Sequence, residues 1–230
     1  MNTLLSDIEV AAADAQEGPT IIEKLILKHA MRSFGRRGYS ATTLRSVASE
    51  ANVTAPMVSY YFKSKENLYL RVAEIVMESM EAEVAKALEP SPSFREAVTA
   101  IVRANIQLVE RSPSAVEFML SLLYGPQERQ PAPDIERMYA GTRRHLLETF
   151  ERGIASGELV PRPGVDAEFL AEQLGSLIHD FVSQRFRADR IIERHPERRE
   201  AVEARMRARS IDVSLDIFFH GVGELATDNS

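Results

Sequence analysis

The stretch Thr42-Thr43-Leu44-Arg45-Ser46-Val47-Ala48-Ser49-Glu50-Ala51-Asn52-Val53-Thr54-Ala55-Pro56-Met57-Val58-Ser59-Tyr60-Tyr61 decides the fold. It reads as two short helices, Thr43–Ala51 and Ala55–Tyr61, joined by a tight turn, the pattern of a helix-turn-helix. Thr42 or Thr43 caps the first helix and Thr54 the second, because a hydroxyl accepts from the unpaired N–H groups of a first helical turn. Asn52 makes the turn, since Asn tolerates a left-handed backbone. Pro56 falls in a first turn, where a missing N–H costs little. Val47, Ala48, Val53 and Val58 pack the helices together, which leaves Thr54, Ala55, Met57, Ser59, Tyr60 and Tyr61 facing outward. An outward surface of hydroxyls and short side chains, flanked by Lys63 and Lys65, suits the major groove of DNA, whose walls are phosphates.

Upstream, a helix is predicted from about Thr20 to Arg37, with Ile22, Leu25, Ile26, His29, Ala30 and Phe34 on one apolar stripe and Gly38 ending it. Downstream, Ser64 caps a long helix whose stripe of Leu68, Val72, Ile75, Val76, Met80, Val84 and Leu88 persists to Pro90 and Pro92. Such a helix spans about 37 Å, enough to bridge two domains. Further helices are expected near 93–111, 114–124, 134–156, 165–190 and 198–220, with proline and glycine between them. No segment sustains the alternation of a half-buried strand, so the expected class is all-α. The expected organisation is a disordered acidic arm at 1–19, a helix-turn-helix domain at 20–66, a larger helical domain at 67–221 and a flexible tail at 222–230.

Composition narrows the function. With 44% hydrophobic residues in a chain of 230, a sizeable core can form. The absence of cysteine excludes disulfides, thiolate metal sites and cysteine nucleophiles. The net charge of −6 looks wrong for a nucleic-acid binder until it is divided along the chain. Residues 20–71 carry nine bases against three acids, a net +6, which leaves −12 for the remainder. Phosphate binding needs local positive charge rather than a basic whole, so this asymmetry points to a DNA-binding segment. Residues 1–19 hold Asp7, Glu9, Asp14 and Glu17 with no Lys or Arg, unlike the basic start of a secretory signal. No apolar run approaches the roughly 20 residues that span a bilayer. A cytoplasmic, nucleoid-associated protein without a membrane partner is expected. No His-Glu-x-x-His, P-loop, nucleophile elbow or Gly-rich dinucleotide turn is present, so no catalytic residue, metal or cofactor is expected.

The residues around the motif also carry a family resemblance. Phe34-Gly35-Arg36-Arg37-Gly38-Tyr39, then Thr42 to Ala48, then Val53-Thr54 and Tyr60-Tyr61-Phe62-Lys63-Ser64-Lys65-Glu66-Asn67-Leu68 together resemble the TetR family of bacterial repressors, over about residues 20–71. The last of these blocks is far more specific than helix-turn-helix spacing alone. Asn52 stands where the family often has Gly, and Met57 where Thr is common; the second departure bears on which operator is read. The resemblance implies a three-helix DNA-binding domain and a larger helical domain that dimerises and usually binds a small effector, with a long fourth helix between them. It implies a recognition helix over about Thr54–Tyr61, with Lys65 and the start of the second helix touching the DNA backbone. The DNA-binding candidates are thus Thr43, Arg45, Thr54, Ala55, Pro56, Met57, Ser59, Tyr60, Tyr61, Lys63 and Lys65. Phe62 is expected in the core.

Beyond the motif, Arg194, Arg198, Arg199, Arg205, Arg207 and Arg209 form a second basic run, but Glu193, Glu197, Glu200 and Glu203 interleave with it at helical spacing, which favours ion pairs on a wet face. The last two long helices carry more apolar surface than one small core needs: Phe169, Leu174, Gly175, Leu177, Ile178, Phe181, Val202, Met206, Val213 and Phe218 are the expected dimer interface. Two such helices from each subunit would form a four-helix bundle about a two-fold axis. Met119, Leu120, Leu123, Tyr124, Phe150, His179 and Phe181 are effector-pocket candidates by composition. The expected function is a repressor that binds a palindromic operator as a homodimer and is released by an apolar small molecule. The rival is a DNA-bound structural or cell-cycle protein on the same fold with no effector.

Overall fold

The computed structural model describes residues 20–89, 93–125, 130–208 and 211–225. The arm expected at 1–19 and residues 226–230 of the expected tail lie outside the described residues. The elements in chain order are α1 (Ile21–Ala41), α2 (Leu44–Glu50), α3 (Ala55–Phe62), α4 (Lys65–Leu88), α5 (Phe94–Arg111), α6 (Pro113–Tyr124), α7 (Ile135–Ala155), β1 (Leu159–Pro161), α8 (Ala167–Arg194), a 3₁₀ turn (Pro196–Arg198), α9 (Arg199–Ala208), α10 (Ile211–Val222) and β2 (Gly223–Leu225). Among the described residues the fold is helical apart from one short antiparallel pair, in which Leu159 faces Leu225. Among the described residues no helix is long and apolar enough to cross a membrane.

The chain forms two compact units, residues up to 82 with 110–139, and residues 83–109 with 140 onward. The sequence placed its division after residue 66. By its contacts α6 belongs with the helix-turn-helix unit.

In the first unit Thr20 caps α1 by accepting from the Glu23 N–H at 3.2 Å. The stripe predicted for α1 is too narrow: Leu27 and Met31 are buried beside Ile26, Ala30 and Phe34. The reason is that α1 is covered from two directions, with Ala115, Phe118 and Leu122 of α6 in the same core as Val47, Val58, Phe62 and Leu68. A large apolar side chain fully buried this way contributes about 1.5–3 kcal/mol. The helices approach closely at Gly35, where an added Cβ would stand 2.9 Å from the Phe118 backbone nitrogen. Phe34, Tyr39, Tyr69 and Phe118 form an aromatic cluster at the same crossing, with the Phe34 and Tyr69 centroids 5.0 Å apart edge to face. Gly38, at φ 77°, kinks the helix where the sequence ended it, and a further turn runs on to Ala41.

The second unit is built on Phe94, Ile101, Val102, Phe150, Leu170, Leu174, Leu215 and Phe219. Asp166 caps α8 through the Phe169 N–H at 2.8 Å, and the helix extends to Arg194, past the predicted 190. Of the helix expected over 198–220, the described residues form α9 and α10, and residues 209 and 210 between them lie outside the described set. Residues 223–225, expected in the flexible tail, make the pairing with β1.

Candidate nucleic-acid interface

Local chemistry fixes the α2–α3 pair. Thr43 is the cap of α2: its hydroxyl accepts from the Ser46 N–H while the Ser46 hydroxyl accepts from the Thr43 N–H, both at 3.0 Å. This reciprocal box satisfies two otherwise orphaned donors. Thr42 does not cap; it is buried, and its hydroxyl donates to the Gly38 carbonyl at 2.9 Å. Asn52 adopts φ 52° in the turn, and the Val53 N–H returns to the Ala48 carbonyl at 3.0 Å. Val47, Ala48 and Val58 are buried and Val53 half-buried, as the packing reading requires. Thr54 occupies the cap position of α3 without using its side chain as a cap, so its exposed hydroxyl is left for other partners. The expectation that it caps is corrected on this point.

The outward candidates divide by exposure. Thr43, Arg45, Thr54, Pro56, Ser59 and Lys63 are exposed, Ala55 and Met57 half-buried. Tyr60 is 81% exposed. Tyr61, next to it, packs against the core and receives a hydrogen bond from the Thr20 hydroxyl at 3.1 Å. The two rings meet edge to face at 5.4 Å. Phe62 is buried. Lys63 ends α3 at φ 61°, a left-handed conformation that costs a side-chain-bearing residue about 1–2 kcal/mol.

The basic residues are not equivalent. The Lys65 ammonium lies 4.0 Å over the Tyr39 ring and donates to the Ser40 carbonyl at 3.4 Å, and burial lowers its pKa. It therefore ties the start of α4 to the segment preceding α2. Arg36 pairs with Glu117 of α6 at 3.5 Å, and Arg37 with Glu50 at 2.6 Å. Burial pushes the Glu50 carboxyl up, but the Ser33 hydroxyl and Arg37 outweigh it and hold its pKa below the ordinary value. His29, beside this pair, has its pKa lowered by burial and by Lys28 and Arg32, against Glu50. Sequence reasoning singled out neither Thr20 nor Gly35 nor Tyr39 for these roles. A glycine in mid-helix was the one available signal.

The remaining candidates fall in both units. Met119, Leu120, Leu123 and Tyr124 are in the first, with Met119 buried and Tyr124 exposed; Phe150, His179 and Phe181 are in the second. Phe150 is a core ring stacked edge to face on Phe94 at 5.3 Å. His179 shares a hydrogen bond with Ser183 at 3.2 Å, and burial lowers its pKa. Phe181 lines a groove of 580 Å³ with Ile106, Arg185, Ile192, Val202 and Met206. Of the interface candidates, Leu174 is fully buried and Gly175, Leu177, Ile178 and Phe218 are partly covered, while Phe169 and Val213 are 49% and 46% exposed. Ile217, which the sequence reading omitted, is 67% exposed.

Residues 26–72 match the family model described as bacterial regulatory proteins, tetR family. A relative in Bacillus subtilis, the uncharacterized HTH-type transcriptional regulator YhgD, is 29% identical over 164 residues, covering 70% of this chain and 85% of that protein. Among solved structures, the transcriptional regulator FadR from Bacillus subtilis in complex with stearoyl-CoA superposes with a TM-score of 0.65 at 16% identity, covering 86% of this chain and 98% of that one. AibR in complex with isovaleryl coenzyme A and operator DNA does so with a TM-score of 0.56 at 22% identity, covering 69% and 84%.

Proposed function

We propose that this chain, whose residues 26–72 match the tetR family of bacterial regulatory proteins, is a helix-turn-helix repressor of that family that binds a palindromic operator as a homodimer and is released by a small molecule. The observation that carries the reading is the α3 surface: Thr54, Pro56, Ser59 and Tyr60 stand exposed on a helix held from behind by Val58 and Phe62. Residues 20–66 are the proposed reading head. Hydroxyls and a free phenol can read base edges, while Lys63, Arg45 and the α2 start meet phosphates that set the register. Two heads fit successive major grooves when about 34–36 Å apart, which requires a second copy of the chain.

The dimer face we propose centres on Phe169 of α8 with Val213 and Ile217 of α10, apolar residues left exposed beside the second core. Val202 and Met206, also expected at the interface, line the groove with Phe181. That groove is the proposed effector site, its volume being within the usual range for ligand pockets. The effector class proposed is an acyl-coenzyme A thioester, supported by the ligands bound to the FadR and AibR structures. Such a ligand acts only through unequal affinity for two dimer states, favouring the one whose head spacing does not match DNA. Sedimentation of Ile217→Glu tests the assembly. Monomers with weakened operator binding are expected, and an intact dimer would refute this placement of the interface.

A further inference from the structure

Residues 1–19 carry Asp7, Glu9, Asp14 and Glu17 and no base, and the proposed function makes no use of them. They end at Thr20, whose hydroxyl bonds to Tyr61 of the recognition helix at 3.1 Å. The acidic segment is therefore tethered directly beside the surface proposed to read DNA. The bases of residues 20–71 fall into two groups. Arg36, Arg37 and Arg71 are paired with carboxylates, and Lys65 lies on Tyr39. Lys24, Lys28, Arg32, Arg45 and Lys63 have no carboxylate within ion-pair distance among the described residues. Four acids in residues 1–19 thus precede a segment with five cations that have no carboxylate partner among the described residues.

We propose that residues 1–19 compete with DNA phosphates for these cations, so that the chain carries its own low-affinity competitor for non-specific duplex. The reach is sufficient: nineteen residues extend to about 60 Å at most, against about 20 Å across a module of some fifty residues. Charge complementarity at short range is worth most at low ionic strength, where the screening length is longest. The segment weakens binding held by phosphates alone. An operator complex, which also draws on base contacts, overcomes it, so the arm raises the ratio of specific to non-specific binding. This inference rests on the reader surface proposed above.

The test compares the full chain with a full-length variant carrying Asp7→Asn, Glu9→Gln, Asp14→Asn and Glu17→Gln. Each is titrated with a fluorescein-labelled duplex of arbitrary sequence from about 50 to about 300 mM salt. The variant should bind roughly three- to tenfold more tightly at the low end, with the gain shrinking as salt rises. Its logarithmic salt slope should be steeper by about one to three, because duplex then displaces counterions rather than the arm. Unchanged melting temperatures establish that the substitutions act on binding. Superimposable binding curves would overturn the competition and leave the reader surface standing, as would a gain independent of salt. Failure of both chains to bind any duplex at low salt would overturn the reader surface itself, and the competition with it.

Discussion

Thr20 and Tyr61, forty-one residues apart in sequence, are joined through their hydroxyls at 3.1 Å, while Tyr60 projects into solvent. Adjacent tyrosines on one helix thus have different work. Tyr60→Ala should lose operator preference by about 1–3 kcal/mol, the range for one good base contact, with the melting temperature unchanged because the ring packs on little. Tyr61→Phe should cost about 0.5–1.5 kcal/mol of stability through the lost hydrogen bond. Paired DNA titrations and thermal melts separate the two; equal effects of both changes on operator preference would refute the division.

Gly35→Ala sets helix propensity against packing. Alanine in mid-helix gains about 1 kcal/mol over glycine. Its Cβ would meet the Phe118 nitrogen at 2.9 Å and the Glu117 carbonyl carbon at 3.2 Å, and backbone cannot swing aside. Overpacking of this kind costs about 1–3 kcal/mol, so net destabilisation is expected in denaturant melts. A stabilised variant would show that the α1–α6 crossing can relax.

Lys63→Gly should move two quantities in opposite directions. Relief of φ 61° should stabilise the fold by about 1 kcal/mol. Loss of one phosphate-binding charge should flatten the logarithmic salt slope by about 1. An unchanged slope would remove Lys63 from the DNA contacts.

Acid should weaken the first unit in two steps. The His29 pKa in the fold lies below its ordinary 6.5, so the fold disfavours the protonated ring, and stability falls as pH drops through 6.5 toward the depressed value. Glu50 is also depressed; its contribution is present above its ordinary 4.5 and is lost as pH falls through its folded value. His29→Gln should abolish the first step in pH-dependent melts and leave the second.

Calorimetry with stearoyl-CoA tests the proposed induction. If the ligand weakens operator binding tenfold, operator must weaken ligand binding tenfold, about 1.4 kcal/mol of coupling. Val202→Trp, which fills the groove, should reduce ligand affinity and leave operator affinity intact. Equal ligand affinity with and without operator would contradict release by this class of effector.

The parts of the fold legible in the sequence are those written in local chemistry. Thr43 with Ser46, Asn52 at positive φ and the buried Val47 and Val58 each follow from a few neighbouring residues. What escaped depends on distant chain. The periodicity of α1 shows one stripe, yet Leu27 and Met31 are buried as well, in a core to which the distant α6 contributes Ala115, Phe118 and Leu122. The pairing of Leu159 with Leu225 involves strands of three residues, too short for alternation to register. The interface candidates show the same limit, since apolar spacing cannot separate buried Leu174 from exposed Phe169 on one helix. Lys65 reads as a phosphate contact from its motif, and only the fold places its ammonium over Tyr39.

The most direct test of the central claim is selection of bound duplexes from a randomised pool, with wild type and Tyr60→Ala in parallel. The wild type should enrich an inverted repeat whose half-site centres lie one helical turn, about 10 base pairs, or a multiple of it apart. The variant should enrich it weakly or with relaxed bases at fixed positions in each half. Recovery of no shared motif, or of the same motif with equal strength by Tyr60→Ala, would contradict a homodimer that reads DNA through α3.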